Sequence, residues 1–105
     1  MSDKKHKTKA IQKKIARNRI KQLFTMAEKS ALSGKLSLAN RYVEIARKIS
    51  MRHLVSIPDE SKRRFCKHCY HYLLPGINCR VRIHRGKIVI FCSDCKKNSR
   101  FIISR

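Results

Sequence analysis

Acidic side chains are scarce in this chain. Asp and Glu together number 6 in 105 residues. They are Asp3, Glu28, Glu44, Asp59, Glu60 and Asp94, each isolated except the Asp59/Glu60 pair. Two-metal phosphoryl chemistry needs convergent carboxylates, and this scatter speaks against it. There is no Walker loop and no Ser/His/Asp pattern. No run of 18 apolar residues occurs, so no membrane span is expected. The opening MSDKKHKTKA has no apolar stretch of the kind a secretory signal carries. The expectation is a cytoplasmic, reducing location, where cysteines are thiols or metal ligands.

Positive charge, by contrast, is abundant. Lys and Arg number 27, giving a formal net charge of +21. Such an excess repels itself in a compact state and is best tolerated when a polyanion neutralises it. Nucleic acid is the leading partner, with an anionic membrane surface second. Composition does not decide between RNA and DNA. A chain this short holds one domain or two small modules, which bury little apolar surface and call for a metal staple.

Four segments are expected. Residues 1–9 are Lys-rich and nearly free of apolar side chains, which reads as a disordered basic arm. Residues 10–55 carry a helical period. Ala16, Ile20, Leu23, Phe24 and Ala27 form one apolar stripe, and Leu38, Tyr42, Ile45, Ala46 and Ile49 form another. Ser33-Gly34-Lys35 separates them, Ser37 reads as the second helix's N-cap, and Glu44 with Lys48 makes an i,i+4 pair. The two helices should form an antiparallel hairpin. That hairpin cannot cover all its apolar residues, so they either pack on the second module or meet a protein partner. The candidate partner residues are Ile11, Ile15, Leu23, Val43 and Met51. Residues 56–62 read as a linker and 63–105 as a second, β-rich module.

That second module carries Cys66-x-x-Cys69 and Cys92-x-x-Cys95. A Cys-x-x-Cys turn lets two thiolates converge on one ion, and a second turn brought alongside by a β-hairpin completes a tetrahedron. The pattern points to a zinc ribbon holding one structural Zn²⁺. A four-thiolate site has no open position to activate water, so its metal serves folding. A thioredoxin-like pair needs a βαβ context that is absent, and a haem site needs His where Tyr70 and Lys96 stand. An iron–sulfur cluster stays open, since four thiolates suit it too. His68 and His71 lie near the first pair, but four cysteines already suffice.

Between the pairs, Arg80-Val81-Arg82-Ile83-His84 alternates basic and apolar residues as a strand does. Arg85-Gly86 supplies a turn, Ile88-Val89-Ile90-Phe91 a second strand, and Phe101-Ile102-Ile103 a third. Cys79, Val81 and Ile83 share a parity and are expected to face the core. Arg80 and Arg82, with Arg85 and Lys87 at the turn, then form a cationic face for nucleic acid. Lys13, Lys14, Arg17 and Lys21 on the first helix form a second candidate surface, with Arg64 connecting the two. The fold class is α+β: an antiparallel two-helix hairpin followed by a small antiparallel β zinc ribbon.

A basic helical hairpin with Ala46-Arg47-Lys48-Ile49-Ser50-Met51-Arg52 precedes Phe65-Cys66-x-x-Cys69. Leu74-Pro75-Gly76-Ile77-Asn78-Cys79-Arg80-Val81-Arg82 and Cys92-x-x-Cys95 follow. This arrangement resembles the archaeal ribonuclease P protein component 4 family, relatives of the eukaryotic 21-kDa ribonuclease P subunit. The Pro-Gly-x-Asn-x-Arg-x-Arg run makes the resemblance more specific than the cysteines alone. It implies a subunit of the ribonucleoprotein that removes the 5′ leader of precursor tRNA, with catalysis in the RNA subunit. It also implies contact with ribonuclease P protein component 1 through the hairpin. Cys66, Cys69, Cys92 and Cys95 become the zinc ligands, and Arg80 and Arg82 become RNA contacts. One departure is Tyr70, where many zinc ribbons place glycine. The competing readings are a zinc-ribbon protein of the ribosome or transcription machinery, and an autonomous nuclease.

Overall fold

The computed structural model describes the backbone of residues 2–103 and the side chains of residues 8–103. Helix α1 spans Ser2–Leu32, α2 Leu36–His53 and the single turn α3 Asp59–Lys62. Strands β1 (Cys79–His84), β2 (Lys87–Cys92) and β3 (Asn98–Ile102) follow. No glycine or proline interrupts residues 2–32, and Lys, Ala, Gln and Arg are strong helix formers. The backbone is therefore helical from Ser2, where a disordered arm was expected up to residue 9.

α1 ends in a glycine cap. Gly34 takes φ +82, its N–H donates to Ala31 O at 3.0 Å, and the Lys35 N–H donates to Ser30 O at 2.8 Å. This pair of bonds satisfies the last carbonyls and reverses the chain. α2 begins at Leu36 after Lys35 with no side-chain cap, so Ser37 lies inside the first turn and is not the N-cap. Glu44 and Lys48 pair at 3.2 Å as expected.

The hairpin core is built on alanines. Ala16, Ile20, Phe24, Ala27 and Ala31 of α1 meet Ala39, Val43 and Ala46 of α2, all buried. Small residues at the contact let the helices approach closely, and the large side chains fill in beside them. Of the expected second stripe, Ala46 is buried and Tyr42 and Ile49 pack against the core, which Ala39 and Val43 also join. Leu38 and Ile45 face solvent, whereas Val43 is 1% exposed. Val43 belongs to the core and is withdrawn as a partner contact. Leu23 packs half-buried against the same core.

The expected linker contains α3. After it, the chain is tied back to the hairpin rather than hanging free. Phe65 and Tyr72 join the hairpin core, with the Phe24 and Phe65 rings 5.7 Å apart. The Tyr72 N–H donates to Asn40 Oδ1 at 2.8 Å. Arg64 Nη1 donates to Glu28 Oε2 at 2.7 Å, and its Nη2 lies 3.6 Å from Glu60.

The sheet is antiparallel in the order β1-β2-β3. Arg85 and Gly86 both take positive φ, 50 and 73, as a two-residue hairpin turn requires. The register sets Cys79, Val81 and Ile83 opposite Cys92, Ile90 and Ile88 on one face. Cys66, Leu73, Cys79, Ile90 and Cys92 form a second core at the cysteine end. The hairpin projects beyond this cover, so Val81 and Ile83 are 50% and 73% exposed, contrary to the expectation that they face the core. β3 spans Asn98–Ile102, starting earlier than the expected Phe101.

Replacing Ile20, which is fully buried, by Ala should lower unfolding free energy by about 2–5 kcal/mol. Urea denaturation of the metal-loaded chain measures it, and a loss under about 1 kcal/mol would contradict this core assignment.

Candidate metal centre and nucleic-acid interface

Each Cys-x-x-Cys segment folds into the same tight knuckle. The Tyr70 N–H donates to Cys66 O and the Lys96 N–H to Cys92 O, both at 2.8 Å. One step outward, the Cys66 N–H donates to His71 O and the Cys92 N–H to Lys97 O, both at 3.0 Å. The residue after the second cysteine must take left-handed backbone. Tyr70 has φ 62 and Lys96 φ 59, so both side chains accept a conformation that glycine would occupy with less strain. At Tyr70 the Arg47 guanidinium lies 3.4 Å from the ring centroid. A cation–π contact of this kind anchors the tyrosine on α2 and helps offset the backbone cost.

The four thiols converge. All four Sγ atoms lie within 4.8 Å of one another. Cys66 and Cys95 sulfurs are 3.5 Å apart, and those of Cys69 and Cys92 are 3.6 Å apart. A tetrahedron with metal–sulfur bonds of about 2.3 Å has edges of about 3.8 Å, so the spacing fits one ion. Cys66 and Cys92 are buried, while Cys69 and Cys95 are half-buried.

The thiol electrostatics also suit a cation. Burial pushes the Cys66 thiol up, but N–H donors from Cys69 and His68 and the thiols of Cys95 and Cys69 outweigh it, leaving it lowered to about 7. Cys69 is pushed up to about 12 by burial, reinforced by the Cys66 and Cys92 sulfurs. Burial likewise raises Cys92. Crowded thiolates disfavour one another's charge, and a divalent ion reverses that preference. Cys79 sits opposite Cys92 in the register and is 3% exposed. Burial raises its pKa, as befits a packed thiol. His71 and His68 are not among the converged ligand atoms. His71 Nδ1 instead lies 3.0 Å from Asp94 Oδ2, linking the two knuckles.

Asn78 is the residue whose role the sequence did not disclose. It is 7% exposed. Its Oδ1 accepts from the Leu74 N–H at 2.7 Å and its Nδ2 donates to Tyr72 O at 2.6 Å. Its carbonyl accepts from the Ser93 N–H at 2.9 Å. One buried amide thus holds the 72–79 loop and delivers β1 to the second knuckle. The Asn between two turn-like residues and a basic strand was its only visible signal.

The register puts Arg80, Arg82 and His84 on one face of the sheet with Lys87 across from His84 and Arg100 on β3. All five are exposed, as is Arg85 at the turn. Among the described carboxylates, Glu28 and Glu60 pair with Arg64, Glu44 with Lys48, Asp59 with Lys62, and Asp94 with His71. The sheet guanidiniums have no carboxylate partner among the described residues. Arg64 is engaged with Glu28 and Glu60 and joins the modules instead of presenting a free charge. On α1, Lys14, Arg17 and Lys21 are exposed and Lys13 is half-buried. Ile11, Ile15 and Met51 are 59%, 57% and 59% exposed.

Replacing Cys66 with Ser should abolish stoichiometric metal binding and unfold the sheet while α1 and α2 persist. Metal content and far-ultraviolet circular dichroism check this together, and a variant retaining one ion per chain would contradict the four-thiolate site.

These features recur in known proteins. The family model described as the RNase P Rpr2/Rpp21/SNM1 subunit domain matches residues 19–96. Ribonuclease P protein component 4 of Methanoregula boonei is 46% identical over 105 residues, covering 100% of this chain and 98% of its own. That of Methanoculleus marisnigri is 46% identical over 92% of this chain and 91% of its own. A chain in the cryo-EM structure of archaeal ribonuclease P with mature tRNA superposes with a TM-score of 0.80 at 41% identity, covering 87% of this chain and 78% of that one. The Pfu Rpp21 structure gives a TM-score of 0.57 at 40% identity over 83% of this chain. The family model over residues 19–96, the 46% identity across the whole chain and the superposition at a TM-score of 0.80 agree: the chain belongs to the ribonuclease P protein component 4 family.

Proposed function

We infer that this chain is an RNA-binding protein subunit of ribonuclease P, the holoenzyme that removes the 5′ leader of precursor tRNA. The observation that carries this reading is the full-length identity to ribonuclease P protein component 4, at 46% over 105 residues. The chain's own chemistry agrees with a non-catalytic role. Its described carboxylates are paired and dispersed, and a four-thiolate centre leaves no coordination position for water.

The metal is one structural Zn²⁺. Soft thiolates at tetrahedral spacing favour it, and a span of 4.8 Å leaves little room for the metal and sulfide atoms of an iron–sulfur cluster. When bound, the ion supplies charge compensation and rigidity, and Cys66, Cys69, Cys92 and Cys95 hold it. RNA lies on the unpaired cations of the sheet, Arg80, Arg82, Arg85 and Lys87, joined by Arg100. Lys13, Lys14, Arg17 and Lys21 of α1 offer further phosphate contacts. Ribonuclease P protein component 1 covers the exposed Ile11 and Ile15 on α1, and Met51 lies in the same reading. No helix among the described residues is long and apolar enough to cross a membrane. The thiol centre suits the reducing cytoplasm.

Reconstitution separates this reading from the autonomous nuclease. The chain alone should leave precursor tRNA intact, and adding it to the RNA subunit with the other proteins should raise cleavage. Cleavage by the chain without the RNA subunit would overturn the assignment. Arg82→Ala should weaken RNA binding and reduce the slope of log affinity against log salt by about 1; an unchanged slope removes Arg82 from the interface. Ile15→Asp should abolish capture of component 1 without lowering stability by more than about 0.5 kcal/mol, because the site is exposed. Undiminished capture would place the partner elsewhere.

A further inference from the structure

The cationic face of the sheet is not a flat array of charges. It contains a groove of about 690 Å³ between the Pro75–Gly76 loop and the strands. Its apolar lining is the half-buried Phe91 with Val81, Cys79 and Val89, the last two 3% exposed. Arg80 and Arg82 stand along the β1 side, each directly across from a lining residue: Arg80 opposite Phe91, and Arg82 opposite Val89. Arg100 faces Val89 from β3. Asn98, opposite Phe91, closes the far side, and its side chain makes no hydrogen bond to another described residue.

This combination differs from what phosphate contact alone requires. A backbone track needs cations and water, whereas an aromatic floor ringed by guanidiniums and one free amide suits a planar, polar-edged group. Nucleobases have that shape. The ring face would lie on Phe91, the flanking phosphates on Arg80 and Arg82, and the amide of Asn98 has both a donor and an acceptor for a base edge. The Pro75–Gly76 loop is held in place from below. The Gly76 N–H donates to Cys79 O at 3.0 Å, and Asn78 fixes the Leu74 end. A Cβ on Gly76 would meet nothing within 4 Å, but its φ of +85 favours glycine for backbone reasons. The groove is therefore preformed, so little ordering cost falls on binding.

We propose that this groove holds one unstacked base of single-stranded RNA, with Phe91 as the stacking platform and Arg80 and Arg82 on the adjacent phosphates. The proposal rests on the reading of the sheet as an RNA surface and adds that the surface reads a base as well as a backbone.

The test uses the full, metal-loaded chain and fluorescence anisotropy. Two probes carry the same number of phosphates, hexauridylate and its counterpart of six abasic ribose phosphates, and the third is a stable hairpin duplex RNA compared per phosphate. Hexauridylate should bind the unmodified chain about tenfold or more tighter than the abasic strand, the scale of one base stacked on an aromatic ring. The duplex should compete no better than the abasic strand. Phe91→Leu should erase the base-dependent difference while leaving the salt slope unchanged, and Arg82→Ala should do the reverse. The comparison of probes on the unmodified chain requires no variant to fold. Equal affinity for hexauridylate and the abasic strand overturns the base pocket but leaves the RNA surface standing. Absence of any salt-dependent binding that Arg82→Ala diminishes overturns the RNA surface, and the pocket falls with it.

Discussion

Convergence of four thiolates within one coordination sphere is the constraint on which the ribbon depends. The three strands are short, and only the cysteine end of the sheet has a packed core of its own. Beyond it, Val81 and Ile83 lie in solvent. Burial of apolar area alone would hold such a hairpin weakly. A metal ion held by the four thiols would close both knuckles and supply the missing free energy at Cys92, whose register partner Cys79 begins β1. The knuckles themselves carry backbone strain at Tyr70 and Lys96, which persists because the surrounding hydrogen bonds over-determine the turn.

The second dependence is between modules. Arg64 to Glu28, Phe65 on Phe24, the Tyr72 amide on Asn40, and Arg47 over Tyr70 all cross from ribbon to hairpin. These contacts join the sheet to two helices that have their own alanine-lined core. Orientation of the cationic face relative to α1 is therefore built into the chain. The proposed placement of RNA on the sheet and of a protein on the outer face of α1 would draw on that fixed relation.

Much of this was legible in the residue order. The cysteine spacing carried the metal site because ligand geometry is local and strict. The period of α1 and the basic–apolar alternation of β1 carried the element types. What escaped were tertiary choices. The α2 stripe was drawn through Leu38 and Ile45, but the contact selected Ala39 and Val43, since close helix approach favours small residues over large ones. Val81 and Ile83 had the right parity for burial, but parity does not reveal how far a sheet extends past its cover. Arg64 reads from sequence as a cation connecting two nucleic-acid surfaces; its Glu28 partner, far away in sequence, shows it joining hairpin and ribbon instead. Asn78 was visible as part of a motif without a mechanism, because its role lies in three loop hydrogen bonds.

On the proposed reading, metal at the knuckles holds the arginine strand in the geometry that RNA meets. Hydrogen exchange through β1 and α1 of the full chain tests it, measured with metal, after chelation and after metal return, each with and without RNA. RNA should protect the amides of Arg80–Arg82 only when metal is bound, with protection returning on reloading while α1 stays folded throughout. The same RNA-induced protection of those amides in the metal-free chain would contradict it.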